Sequence, residues 1–183
     1  SQKVTFAKND GTVLLAEGGY AFTPIAEGVD KGKYKVKQCF ALEADEPIYG
    51  LGMMQSGKMN LRGEHRNMQQ SNLEDFTHFF QSIKGYGIYW DNYSPTDIND
   101  NATLELESQV GDMVDYYFMY GPDFYTMIDR YTELTGKSPM LPRFAMGLHV
   151  GTYSGGTWKN EEMTSDKYPP ALCKRLREEG VPF

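Results

Sequence analysis

Short runs that alternate polar with apolar residues fill the first 120 positions, and this alternation predicts β-strands. Runs at 4–7 and 12–16 flank Asn9-Asp10-Gly11, which is typical of a hairpin turn. In 33–37, lysines alternate with Tyr34 and Val36, which predicts that these two side chains point inward. The runs 78–83 and 87–91 predict a second hairpin. The pattern therefore predicts a mainly β structure of antiparallel strands.

Three stretches of the first 120 positions depart from this alternating pattern. Residues 53–77 are polar, without a helical or strand period, but apolar side chains recur in them, which predicts an ordered and packed loop. Residues 91–101 are rich in turn formers. Residues 113–120 form an apolar run that predicts a strand buried on both faces.

The pattern changes after Gly121. Pro122-Asp123 begins a helix of period 3.6 that ends at Gly136, and residues 137–142 form a proline-bearing linker. The apolar run 144–150 predicts a strand, 169–179 a second helix, and 181–183 the start of another strand. This order of strand, helix and strand is that of a βαβ unit cut before its second strand. Such a unit needs strand neighbours, so the sequence is expected to be a piece of a longer fold.

The amino-acid composition disfavours several classes of binding partner and cofactor for this chain, and favours others. The 183 residues carry a formal net charge of −7, which disfavours nucleic acid and anionic membrane surfaces as partners. No apolar window approaches a membrane span, and Ser1-Gln2-Lys3-Val4 lacks the apolar core of a signal peptide. Two cysteines and three histidines in no ligand spacing predict neither a metal site nor a cofactor. Aromatic residues, at 14%, suit both a β-sandwich core and sugar binding.

Several motifs, weak singly but specific in this order, carry a family resemblance. They are Tyr49-Gly50-Leu51-Gly52, Asn72-Leu73-Glu74-Asp75, the hairpin 79–92, Tyr116 to Pro122, and Thr132-Glu133-Leu134-Thr135-Gly136 running into Pro139 to Pro142. Over residues 5–183 the chain resembles glycoside hydrolase family 31, the α-glucosidases and α-xylosidases. Within that family it is most similar to enzymes of gut polysaccharide-degrading bacteria.

The resemblance implies a domain organisation. It implies an N-terminal β-sandwich of the galactose-mutarotase-like type at 1–121, a connecting helix and linker at 122–142, and the first β/α unit of a truncated (β/α)8 barrel at 143–183. The two catalytic aspartates of the family have no counterpart here, so no catalytic residue is assigned. Glu74 with Asp75, or Glu161 with Glu162, are poor substitutes for the facing carboxylates about 5 to 5.5 Å apart that a retaining enzyme uses.

The resemblance also implies substrate-binding residues. In the family a sandwich loop offers a carboxylate to the hydroxyls of the terminal sugar, which maps onto Asn72, Glu74 and Asp75, although the usual motif has Asp where Glu74 stands. Tyr153 matches a tyrosine that lines the innermost sugar subsite. The structural alternatives are solvent-facing turn residues at 72–75 and a packed loop aromatic at Tyr153.

Three functions remain open. The first is an N-terminal fragment of a retaining, exo-acting α-glucosidase or α-xylosidase that is inactive alone but contributes scaffold and pocket-rim residues. The others are a stand-alone carbohydrate-binding module and a purely structural domain. The resemblance also suggests a periplasmic or otherwise secreted bacterial protein. An unpaired apolar strand at 144–150 predicts self-association.

Overall fold

The computed structural model describes residues 3–147, 149 and 167–181, and it divides the chain into two compact units, residues 1–136 and 137–183. The described part of the first unit consists of ten strands and one helix. They are β1 (Thr5–Ala7), β2 (Val13–Pro24), β3 (Tyr34–Ala41), β4 (Ile48–Met53), β5 (His65–Met68), β6 (Asp75–Ser82), β7 (Tyr86–Trp90), β8 (Thr96–Asp100), β9 (Leu104–Gly111), β10 (Tyr116–Tyr120) and α1 (Phe124–Thr135).

These strands form two sheets, and every pairing among them is antiparallel. The six-stranded sheet has the order β1-β2-β3-β9-β8-β5, and the four-stranded sheet has the order β10-β7-β6-β4. Both predicted hairpins are confirmed. Gly11 at φ +88° allows the tight turn between β1 and β2, and Phe80 pairs with Ile88 across β6 and β7.

One hydrophobic core is shared by the two sheets. Its largest fully buried side chains are Trp90 and Tyr86 from β7, Phe40 from β3 and Phe80 from β6. Strand alternation explains this arrangement, because residues two apart on a strand point to the same face. The mainly β, antiparallel sandwich predicted from the sequence is therefore present.

The prediction of an ordered, packed loop at 53–77 and of turns at 91–101 missed two strands. β5 and β8 lie in these segments and pair with each other, with Arg66 opposite Ile98. Their exposed positions carry polar cross-strand pairs, including a 2.7 Å hydrogen bond from Asn67 Nδ2 to Asp97 Oδ1. Because Asn and Asp are depleted in strands, the composition of these segments concealed the pairing.

β10 is a strand as predicted, but the prediction that both of its faces are buried is wrong. Met119 is buried, whereas Tyr117 and Tyr120 are exposed. β10 lies at the edge of the four-stranded sheet and pairs with β7 alone among the described strands. Tyr117 and Tyr120 lie on opposite faces of the strand, so each face of this edge strand is exposed at one position.

Helix α1 confirms the predicted helix after Gly121. Asp123 is its N-cap, and its carboxylate accepts a hydrogen bond from Thr126 N at 2.9 Å. Gly136 at φ +93° ends the helix. Met127 is fully buried and packs with Phe79 and Met119, so the helix lies on the face of the four-stranded sheet that points away from the main core.

The second unit contains a short 3₁₀ helix (Arg143–Met146) and α2 (Tyr168–Glu178). The predicted helix at 169–179 is confirmed, but the predicted strand is wrong at residues 144–146. A strand needs a hydrogen-bonding neighbour, and here Ala145 N donates to Pro142 O at 2.9 Å. The remainder of that run, apart from Gly147 and His149, lies outside the described residues, and self-association stays a prediction. Neither α1 nor α2 is long and apolar enough to cross a membrane.

Candidate functional site

The turn that carries Asn72, Glu74 and Asp75 is positioned by a bulge in β4. Gly50, Leu51 and Gly52 all have positive φ, at +125°, +62° and +92°. Across this bulge the register moves from Gly50 opposite Phe80 to Gly52 opposite Phe76. A Cβ atom on Gly52 would stand 2.1 Å from the backbone oxygen of Asp75. The two glycines therefore let the start of β6 approach β4 closely.

The side chain of Gln70 stabilises the same turn by two hydrogen bonds. Its Oε1 accepts a hydrogen bond from Phe76 N at 2.6 Å, and its Nε2 donates to the Asp75 carboxylate. Ser71 N also donates to Glu74 O at 3.3 Å. These contacts close the segment 70–76 into a compact turn, and Asn72 is exposed on it.

Glu74 belongs to a chain of alternating charges. Its Oε1 lies 3.8 Å from Arg66 Nη1, and Arg66 Nε donates to Glu64 Oε2 at 2.9 Å. The other carboxylate oxygen of Glu64 accepts a hydrogen bond from Lys58 Nζ. Glu64 is buried, whereas the Glu74 side chain is 27% exposed. Arg66 therefore restrains a carboxylate that solvent or a ligand can still reach.

This chain of charges gives a pH-dependent stability. The hydrogen bond from Lys58, opposed by burial and aided by the hydrogen bond from Arg66, holds the pKa of Glu64 below its ordinary value of 4.5. A carboxyl whose folded pKa is lowered stabilises the protein above its unfolded pKa, and that stability disappears as pH falls through the folded pKa. We expect the urea midpoint to fall between about pH 5 and pH 3, and to fall less in Glu64→Gln. Equal falls in the two proteins would contradict this assignment.

A cleft of about 440 Å³ opens beside the turn. Its lining combines aromatic rings with amides and hydroxyls, and includes Gln70, Phe76, His78, Tyr89, Asn92 and Tyr93. Burial lowers the pKa of His78, partly offset by hydrogen bonds with the backbones of Asn92 and Met68, so the imidazole is uncharged at neutral pH. The cleft therefore carries no charge at His78, and aromatic rings form much of its lining.

The structure brings three of the four predicted substrate-binding residues together, since Asn72, Glu74 and Asp75 occupy one turn at the start of β6. Tyr153, together with Glu161 and Glu162, lies outside the described residues. The adjacent cleft was not predicted from the sequence. The signal for it was Asn92-Tyr93-Ser94-Pro95, a turn sequence with an aromatic residue at its centre. Among the described residues no cluster of three or more His, Cys, Asp or Glu side chains is arranged to hold a metal ion.

Comparisons with known proteins agree with this fold. Residues 1–99 match the model of the glycosyl hydrolase 31 N-terminal galactose mutarotase-like domain. An α-xylosidase of Saccharolobus solfataricus is 32% identical over an alignment of 161 residues that covers 82% of this chain and 21% of that protein. Alpha-glucosidase 2 of Bacillus thermoamyloliquefaciens is 32% identical over 172 residues, covering 83% of this chain and 20% of the relative.

A solved structure gives the same result. The crystal structure of a family 31 α-xylosidase from a soil metagenome, complexed with xylose, superposes with a TM-score of 0.71 at 25% identity. The superposition covers 79% of this chain and 25% of that enzyme. The chain therefore spans about a fifth to a quarter of the length of these relatives.

Two antiparallel sheets around one core, with a helix on the outer face of the smaller sheet, define a β-sandwich of the galactose mutarotase-like class. The chain belongs to glycoside hydrolase family 31, in which this sandwich is the N-terminal domain.

Proposed function

We propose that this chain is the N-terminal part of a retaining, exo-acting α-glycosidase that removes α-linked xylose or glucose from non-reducing ends. The support is that relatives bearing the names α-xylosidase and α-glucosidase match more than four-fifths of the chain. The catalytic carboxylates are placed in the part of the enzyme that this chain does not include. The segment itself supplies scaffold and rim residues of the sugar pocket.

One observation carries the assignment of the rim. Glu74 projects from a turn that is closed by Gln70, and Arg66 holds its carboxylate without burying it. A carboxylate in such a position accepts hydrogen bonds from two neighbouring sugar hydroxyls, and charge-assisted hydrogen bonds of this kind are the stronger ones. Asn72 and Asp75 flank it on the same turn, and Tyr153 is proposed as a further substrate-binding residue.

The second unit is proposed to be the start of the catalytic barrel. Residues 143–183 would then supply the first β/α unit, with α2 as its helix, after the sandwich at 1–121 and the linker at 122–142. Two observations support this proposal. Residues 137–183 form a compact unit of their own, and the helix predicted there from the sequence is present as α2. In such barrels the substrate sites lie at the carboxyl ends of the strands, and the family resemblance matches Tyr153 to a tyrosine of the innermost sugar subsite.

Removal of the Glu74 charge is expected to weaken sugar binding. Methyl α-xyloside and methyl α-glucoside should bind this chain weakly, because half of the pocket is absent, and saturation-transfer NMR is suited to such affinities. We expect Glu74→Gln to lower the affinity about tenfold, or by about 1.4 kcal/mol, because it replaces charge-assisted hydrogen bonds with neutral ones. The matched control is Glu133→Gln, since Glu133 is also paired with an arginine, Arg130, at 2.9 Å. This control should bind as the unaltered chain does.

Other results would favour the alternatives. Affinity for these sugars that is unaffected by Glu74→Gln would place sugar recognition elsewhere and favour a stand-alone carbohydrate-binding module. No signal with any sugar would favour a structural domain. Release of p-nitrophenol from p-nitrophenyl α-xyloside or α-glucoside by this chain would contradict the placement of the catalytic carboxylates.

A further inference from the structure

Tyr93 is a large aromatic side chain that the fold leaves almost wholly in solvent. It is 97% exposed, at the centre of the loop between β7 and β8. An aromatic ring so exposed contributes little to the core. Exposed aromatic residues on ordered loops are typical of binding surfaces.

The loop around Tyr93 is held firmly on both sides. Asn92 Oδ1 accepts hydrogen bonds from Ser94 N at 2.8 Å and from Ser94 Oγ at 2.7 Å. Asn92 Nδ2 donates to Val110 O at 3.0 Å, and Ser94 Oγ accepts a hydrogen bond from Val110 N at 3.1 Å, which ties the loop to β9. The position of the Tyr93 backbone is therefore fixed before any ligand arrives, which lowers the entropic cost of binding.

Tyr93 stands between two clefts. One is the 440 Å³ cleft that His78 and Asn92 help to line, and the other, of about 350 Å³, includes Asp91 and Tyr117. Tyr89 and Tyr93 line both, so the clefts adjoin along these two rings. Their volumes lie within the range of about 300 to 1,000 Å³ that is usual for small-ligand sites.

The clefts that Tyr93 lines also contain three further tyrosine rings in ordered contact, those of Tyr89, Tyr117 and Tyr131. Tyr89 lies 6.0 Å from Tyr117 in a stacked arrangement and 5.4 Å from Tyr131 edge to face, measured between ring centroids. Tyr131 in turn stacks on Phe79 at 4.6 Å. Burial, with a further effect of Asp91, raises the pKa of Tyr89, so that its phenol remains a hydrogen-bond donor at neutral pH.

The charges of the clefts select the class of ligand. Among the described side chains that line them there is no Lys or Arg, His78 is neutral, and Asp91 is an acceptor. An anionic ligand would lose its hydration without gaining a counter-charge. A neutral ligand with C–H faces for the rings and hydroxyls for the amide, hydroxyl and carboxylate groups matches both clefts.

We infer that Tyr93 and the two clefts beside it form a binding surface for a neutral oligosaccharide, with one sugar unit in each cleft and the chain passing over the Tyr93 ring. Residues 72–75 do not line either cleft. This surface is therefore separate from the Glu74 carboxylate and goes beyond the proposed function. It would hold a longer glycan chain, whereas the turn at 72–75 would hold a terminal sugar.

Isothermal titration calorimetry of this chain with maltotriose and isomaltotriose tests the inference. We expect at least one of them to bind, and Tyr93→Ala to weaken that binding about tenfold. Tyr93→Phe, which keeps the ring, should stay within about threefold of the unaltered chain. The matched control is Tyr125→Ala, because Tyr125 is also highly exposed, at 86%, but lies on α1 and lines neither cleft.

Trigalacturonate, a charged trisaccharide of equal length, should bind more weakly than the neutral sugars. Absence of binding by both neutral trisaccharides would overturn the inference. An equal loss of affinity in Tyr93→Ala and Tyr125→Ala, or tighter binding of trigalacturonate, would also overturn it. The two proposals fail separately, because this inference is judged by the difference between Tyr93→Ala and Tyr125→Ala with a trisaccharide, whereas the proposed function is judged by the difference between Glu74→Gln and Glu133→Gln with a methyl glycoside.

Discussion

Gly52→Ala is expected to destabilise the sandwich by about 4 kcal/mol or more, an effect at the upper end of what single substitutions produce. The added Cβ would stand 2.1 Å from Asp75 O, 2.8 Å from Thr77 N and 2.9 Å from Phe76 Cα. All three are backbone atoms of β6, so no side chain can rotate away to relieve the clash. The free energy of unfolding from urea titration measures this effect, and a chain that fails to fold also agrees with it.

Gly57→Ala is the matched control for this substitution. Gly57 also has positive φ, at +69°, but a Cβ atom added there would have no heavy atom within 4 Å other than those of its chain neighbours. It should lose about 1 to 2 kcal/mol, the cost of a left-handed conformation for a residue with a Cβ. The difference between the two variants isolates the clash with β6. Equal losses would mean that β6 does not approach Gly52 as described.

Glu46→Ala is expected to cost about 3 kcal/mol or more, because it leaves several buried groups without their acceptor. The Glu46 carboxylate accepts hydrogen bonds from Ser82 Oγ and Tyr86 OH, and from Glu43 N at 3.1 Å. Glu46 is 3% exposed and Tyr86 is fully buried. Burial, with the nearby Glu46 carboxylate, raises the pKa of Tyr86, so the phenol remains a hydrogen-bond donor at neutral pH.

Two further variants separate hydrogen bonding from charge. Glu46→Gln keeps one acceptor oxygen and should lose less stability than Glu46→Ala. Glu43→Ala removes an exposed carboxylate that also contacts a lysine, Lys84, at 2.9 Å, and should cost less than about 1 kcal/mol. Urea titration of all three variants measures these differences. A loss in Glu43→Ala as large as that in Glu46→Ala would contradict the central role of the buried carboxylate.

The elements that the sequence predicted are those whose signal is local. Asp10-Gly11 marks the first hairpin because a tight turn needs positive φ at a defined position, and Asp123 marks a helix because a cap is a contact between near neighbours. β5 and β8 were missed because each is stabilised as a strand by its contacts with the other. Asn67 and Asp97 are favourable in a strand when they face one another, and they are 30 positions apart in the chain.

For the candidate site, too, the residues with a local sequence signal were predicted and those that depend on tertiary structure were not. The family resemblance selected Asn72, Glu74 and Asp75, and the structure places them on one turn. It gave no role to Gly50 and Gly52, since the close approach of β6 is a property of tertiary structure. Tyr93 carried no periodic signal, because its position depends on hydrogen bonds between its neighbours and β9 rather than on a strand or helix period.

The order of strands in the larger sheet also sets when the chain can fold. β3 has β9 as its second neighbour, with Phe40 opposite Leu104, so the centre of that sheet joins segments far apart in sequence. Such non-local pairings require a costly loop closure before any contact is gained, and they slow folding relative to helical proteins. During synthesis on a ribosome, β3 must wait for β9 to emerge, and the backbone groups along that edge of β3 stay without their strand partner until then.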